Sequence, residues 1–73
     1  MRRNADVEWH FQDRLQEAME DNMVEPIDFE TYDIVSESSV KNYLKGTNIP
    51  NLRTAHAMAQ FLNVSVDWLC GED

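Results

Sequence analysis

The apolar positions of this chain recur at helical spacing in five separate stretches. Val7, Phe11, Leu15, Ala18 and Met19 are three or four residues apart, which predicts an amphipathic helix over about 5–22. Asn4 is placed to cap it, and Asp6 and Glu8 lie early, where the helix dipole favours acids. Trp9 falls off that stripe. Met23 to Asp33 has a weaker pattern: Pro26 suits a first turn, and Asp28 can cap a short helix over about 27–33 that carries Phe29 and Tyr32 inward, with Ile34 and Val35 following. Ser36 is a good N-cap for a third helix, Glu37 to Lys45. Val40 and Tyr43–Leu44 then face inward, and Glu37, Ser38, Lys41, Asn42 and Lys45 are left outward. Gly46 fits a left-handed C-cap, and Pro50 bars continuation. Asn51 caps a fourth helix over about 52–62, with a stripe of Leu52, Ala55, Met58 or Ala59, and Leu62, and Phe61 beside it. Asn63 ends it. Ser65 caps a last turn over about 66–70 that sends Trp68 or Leu69 into the core, with Gly71 as its stop.

Five short helices in 73 residues, with two glycines and two prolines, make one all-α domain over 1–73 with short connections. No apolar run approaches the roughly 18 residues of a membrane span. MRRNADVEWH lacks the apolar segment of a secretory signal. A single cysteine, Cys70, precludes an internal disulfide and fits a reducing, cytoplasmic setting.

Charge changes the picture. The net charge is −8, and all of it lies in residues 1–37, where eleven acids face only Arg2, Arg3 and Arg14. Residues 38–73 are neutral. Between Ser38 and Val66 there is no acid, while Lys41, Lys45 and Arg53 are all present. The stretch able to approach a polyanion therefore begins at the third helix.

Catalytic and metal chemistry find little support. His10 and His56 belong to different helices, and neither pairs with Cys70 at ligand spacing. There is no glycine-rich phosphate loop, and the carboxylates lie on solvated helix faces. The expectation is a protein that is not an enzyme and needs no cofactor, metal, membrane or small-molecule substrate.

The stretch Ile34–Gly46, IVSESSVKNYLKG, followed by Pro50, Leu52, Ala55, Ala59, Leu62, Val64, Ser65, Asp67, Trp68, Leu69 and Gly71, resembles the lambda-repressor-like helix-turn-helix family, the phage repressor and Cro class. The tail NVSVDWLCG is the more specific part. This resemblance implies a compact five-helix domain whose third helix enters the major groove of double-stranded DNA, acting as a homodimer on a pseudo-palindromic operator. Transferred position by position, it implies base contacts from Glu37, Ser38 and Asn42. It implies backbone contacts from Ser39, Lys41, Lys45, Thr47, Asn48 and Asn51. Arg2 and Arg3 would form a basic N-terminal arm. Taken singly, each of these is an ordinary cap or surface residue; their concentration on one acid-free stretch favours DNA.

The chain departs from the family pattern at four places. Ile34 stands where the turn glycine is usual, Glu30 where a small alanine is, and Asp33 where a leucine is; Pro26 matches a phosphate-contacting polar residue. With the acidic first half, these departures leave a rival expectation: an acidic protein-interaction module on the same scaffold, an anti-repressor or an inhibitor of a basic, nucleic-acid-binding partner.

Overall fold

The structure, a computed structural model, describes residues 10–70. Among these the chain forms five helices and no strand: α1 Phe11–Asp21, α2 Pro26–Thr31, α3 Glu37–Lys45, α4 Leu52–Leu62 and α5 Val66–Cys70. The expected first turns of the leading helix, with Asn4, Val7, Trp9 and the arginine arm, lie outside the described residues, as does Gly71.

The core is assembled from one stripe per helix. α1 contributes Phe11, Leu15, Ala18 and Met19, α2 Phe29, α3 Val40 and Tyr43, α4 Ala55, Met58, Ala59 and Leu62, and α5 Leu69. Burying each large side chain is worth roughly 1.5–3 kcal/mol, and no polar side chain among the described residues is fully buried with them. Ile34 and Val35, in the α2–α3 turn, pack against this core just before the start of α3. Phe11 meets Tyr43 edge-on at 6.2 Å between centroids, tying α1 to α3.

Two apolar residues expected inside are outside. Leu52 is 77% exposed because it opens α4, a full turn before that helix meets the core at Ala55. Tyr32 is 65% exposed; α2 stops at Thr31, so Tyr32 lies beyond the helical stripe and lays its ring on Phe61 at 5.4 Å. Of the two candidates in α5, Leu69 is buried, while Trp68 lies half-buried beneath the Arg14 guanidinium, 4.9 Å from the ring centre.

The helix ends explain the boundaries. α1 to α4 are each followed by a residue at positive φ: Met23 (57°), Asp33 (61°), Gly46 (83°) and Asn63 (61°). Each time the next N–H reaches back across the last turn: Val24 to Met19, Ile34 to Phe29, Thr47 to Asn42 and Val64 to Ala59, at 2.8–3.1 Å. That is the Schellman closure, which satisfies carbonyls the helix leaves open. At the amino ends, Ser36 Oγ accepts from the Ser39 N–H at 3.2 Å, Asn51 Oδ1 from Thr54 at 2.8 Å, and Ser65 Oγ from Trp68 at 3.0 Å. α2 is different from expectation. Its N-cap is Glu25, Pro26 is the first helical residue, and Asp28 is the third, its carboxylate accepting the Glu25 N–H at 2.8 Å.

Candidate nucleic-acid interface

α3 turns Val40 and Tyr43 to the core, so helical spacing places Ser38, Lys41, Asn42 and Lys45 on the opposite side. Ser38, Lys41 and Lys45 are exposed, and Asn42 and Glu37 are half-buried at the margins. The Lys41 ammonium lies 3.3 Å from the Glu37 carboxylate, one turn back. Such an exposed pair is readily exchanged for another partner. Ser39 is less available: half-buried, it shares a hydrogen bond of 2.9 Å with Ser36 Oγ.

The connection from α3 to α4 continues this surface. Gly46, Thr47, Asn48 and Ile49 are exposed. The Thr47 hydroxyl and N–H both donate to the Asn42 carbonyl, at 3.2 and 3.1 Å, which holds the loop against the end of α3. Asn51 spends its side-chain oxygen on the α4 cap, leaving its amide NH2 as the group it can offer. The outward side chains of α3, Ser38, Lys41, Asn42 and Lys45, are thus followed directly by the exposed Thr47 and Asn48 of the loop, and Glu37 is the one carboxylate that α3 itself carries. Arg2 and Arg3 lie outside the described residues.

Two contacts between elements carry no signal in the sequence. Arg14, counted among the few bases, is committed elsewhere: it covers Trp68 and donates to the Trp68 carbonyl at 2.7 Å, joining α1 to α5. Glu30, at the end of α2, accepts the Glu37 N–H at 2.8 Å. Seven residues and a turn separate that pair, a distance over which spacing predicts nothing. Among the described residues no cluster of His, Cys, Asp or Glu fits a metal ion, and no helix is long and apolar enough to cross a membrane.

A polar helix packed across a turn on a shorter one, followed by a glycine-closed loop, is the arrangement that sets a helix in a DNA groove. A family model described as helix-turn-helix matches residues 27–69, more than half of the chain. The chain belongs to the XRE-type helix-turn-helix family, the lambda-repressor and Cro class. The all-helical, five-helix architecture of the described residues is the lambda-repressor-like fold, and the domain is that of a DNA-binding regulator. No curated protein and no solved structure gives a significant match.

The left-handed residue of the α2–α3 turn is Asp33, a conformation that aspartate tolerates far better than isoleucine does, and Ile34 after it packs inward. Glu30 stays on the surface while its neighbour Phe29 is buried in the core.

Proposed function

We propose that this chain is a transcriptional repressor of phage or prophage type, cytoplasmic, that binds a pseudo-palindromic operator as a homodimer and acts by occupying promoter DNA without cofactor or chemistry. The observation that carries the proposal is the outward face of α3, continuous with the Thr47–Asn48 loop and free of acids from Ser38 onward. On this reading Asn42 pairs with adenine, Ser38 donates or accepts, and Glu37, once Lys41 swings to a phosphate, accepts from cytosine N4. Lys41, Lys45, Thr47 and Asn48 hold the sugar–phosphate backbone, with lesser parts for Ser39 and Asn51, and Arg2 and Arg3 follow a neighbouring groove.

Affinity must come from two copies. With so few bases a single copy neutralises only about two to four phosphates, and the eleven acids in its first half add long-range repulsion that salt partly screens beyond ~8–10 Å. Two half-sites about one helical turn apart double the contacts and supply the symmetry of the operator.

The test is selection from a randomised duplex library at about 50 mM salt, where phosphate contacts are strongest. An inverted repeat is the expected product. On that operator Asn42→Ala relaxes the choice at one base pair, a loss of ~1–3 kcal/mol of discrimination, and Lys45→Ala weakens all sequences alike. A well-folded protein that enriches nothing at dimerising concentrations would sink the proposal.

A further inference from the structure

The amino end of α3 is already occupied by an anion from within the chain. Glu30 Oε1 accepts the Glu37 N–H at 2.8 Å, the first amide of a nine-residue helix. Two further amides of that end are also taken, Ser39 donating to Ser36 Oγ at 3.2 Å and Val40 to the Ser36 carbonyl at 3.1 Å, which leaves the Ser38 N–H as the amide beside Glu30 that makes no such bond. Glu30 and Asp33, both exposed, line an open depression of about 270 Å³ beside this end, with Ile34, Val35 and Ser36.

Free amides at a helix amino end, aided by the dipole, are ready ligands for phosphate, and in a helix-turn-helix this end of the third helix is the one presented to DNA. We propose that Glu30 is an internal phosphate surrogate: it organises the start of α3, excludes the DNA backbone from that end, and so attenuates affinity and shifts the grip to Lys45, Thr47 and Asn48. The inference rests on the DNA-binding reading above. It makes Glu30 a positioning residue whose negative charge, rather than its hydrogen bond, sets the strength of DNA binding.

Glu30→Gln separates the two properties, because the amide oxygen can still accept the Glu37 N–H while the charge is gone. Binding of a short mixed-sequence duplex and of the selected operator, at about 50 mM salt, is expected to tighten roughly three- to tenfold and to lose most of that gain at high salt. Glu17→Gln, the same charge change on the exposed face of α1 and outside the α2–α3 pair, should stay within about twofold, its effect on the duplex being the more screened by salt. Amide exchange provides a readout that needs no DNA. The Glu37 amide should exchange roughly tenfold faster in Glu30→Ala and nearly as in wild type in Glu30→Gln. Equal effects of Glu30→Gln and Glu17→Gln, or no effect of Glu30→Gln on a wild type that binds, overturn the attenuation alone. Binding by Glu30→Gln where wild type does not bind supports it. If none of the proteins binds any duplex, the DNA reading falls and the attenuation with it, while the exchange data still report whether Glu30 caps α3.

Discussion

Replacing Gly46 with alanine tests how the end of α3 is held. Gly46 sits at φ 83°, and its N–H closes on the Tyr43 carbonyl at 3.1 Å. An L-residue in the left-handed region costs roughly 1–2 kcal/mol, partly offset by the lower entropy alanine brings to the unfolded chain, about 0.4–1 kcal/mol. A second cost arises from position: a Cβ there would fall 2.7–2.8 Å from the Gln12 carboxamide. That group is the far end of a flexible side chain, and its bond to the Leu44 carbonyl is long, 3.5 Å, so displacing it adds no more than about 0.5 kcal/mol. The sum is a net loss of about 1 kcal/mol. In a domain of this size each kcal/mol moves the midpoint by about 4–8 °C, so Tm should fall by about that much in a thermal melt followed by circular dichroism. The partition is checked in a Gln12→Ala background. If backbone strain dominates, Gly46→Ala costs nearly as much there; if crowding dominates, the cost disappears. An unchanged midpoint, or complete rescue by Gln12→Ala, would refute the reasoning.

The same physics predicts the opposite sign at Met23, which holds φ 57° while 89% exposed, so its side chain contributes no packing. Met23→Gly should stabilise by about 0.5–1 kcal/mol, the relief of strain less the added unfolded-state entropy, and raise Tm by about 2–8 °C. In α4, urea unfolding should separate two leucines that sequence spacing treats alike: Leu52→Ala, at 77% exposure, should change stability by less than about 0.5 kcal/mol, and Leu62→Ala, at 1%, should cost about 2–5 kcal/mol.

How far the sequence disclosed this molecule depends on the range of the interaction concerned. Stripes of three and four residues are local, and they mark the core contributions of α1, α3 and α4 apart from Leu52, whose exposure follows from where α4 meets the core rather than from its spacing. Caps are also local: Ser36, Asn51 and Ser65 each act on an amide three residues on. α2 was the poorly legible element. It is one and a half turns long and rests on Phe29 alone, and its end is set by which residue takes the left-handed position, a competition between Asp33 and Ile34 that no periodicity records. At the site, the polar face of α3 was visible as residues left over from its apolar stripe. The contact at its amino end, Glu30 to Glu37, was not, because it joins different helices, and the same is true of Arg14 to Trp68 across α1 and α5.

Those two contacts sharpen the conflict between an acidic chain and a polyanionic ligand. A domain of 73 residues has little stability to spare, so its helices benefit from every favourable charge near their ends. α3 is arranged accordingly: Glu30 and Glu37 lie at its positive end, and Lys45 in its last turn. What stabilises the helix here is the reverse of what a phosphate requires, since the end best suited to receive an anion is filled by the protein's own carboxylate. Arg14 follows the same priority, its guanidinium committed to joining α1 and α5. The consequence for recognition is polarity along one helix. On the proposed reading, a duplex approaching α3 would be repelled at the amino end, where hydrogen-bond donors on the base edges are the complementary groups for Glu37, and attracted at the carboxyl end, where Lys45 and the Thr47–Asn48 loop would meet the backbone. Weak binding by one copy would then follow from how the fold is stabilised, and the proposed second copy would restore affinity without undoing the charge arrangement that holds each domain together.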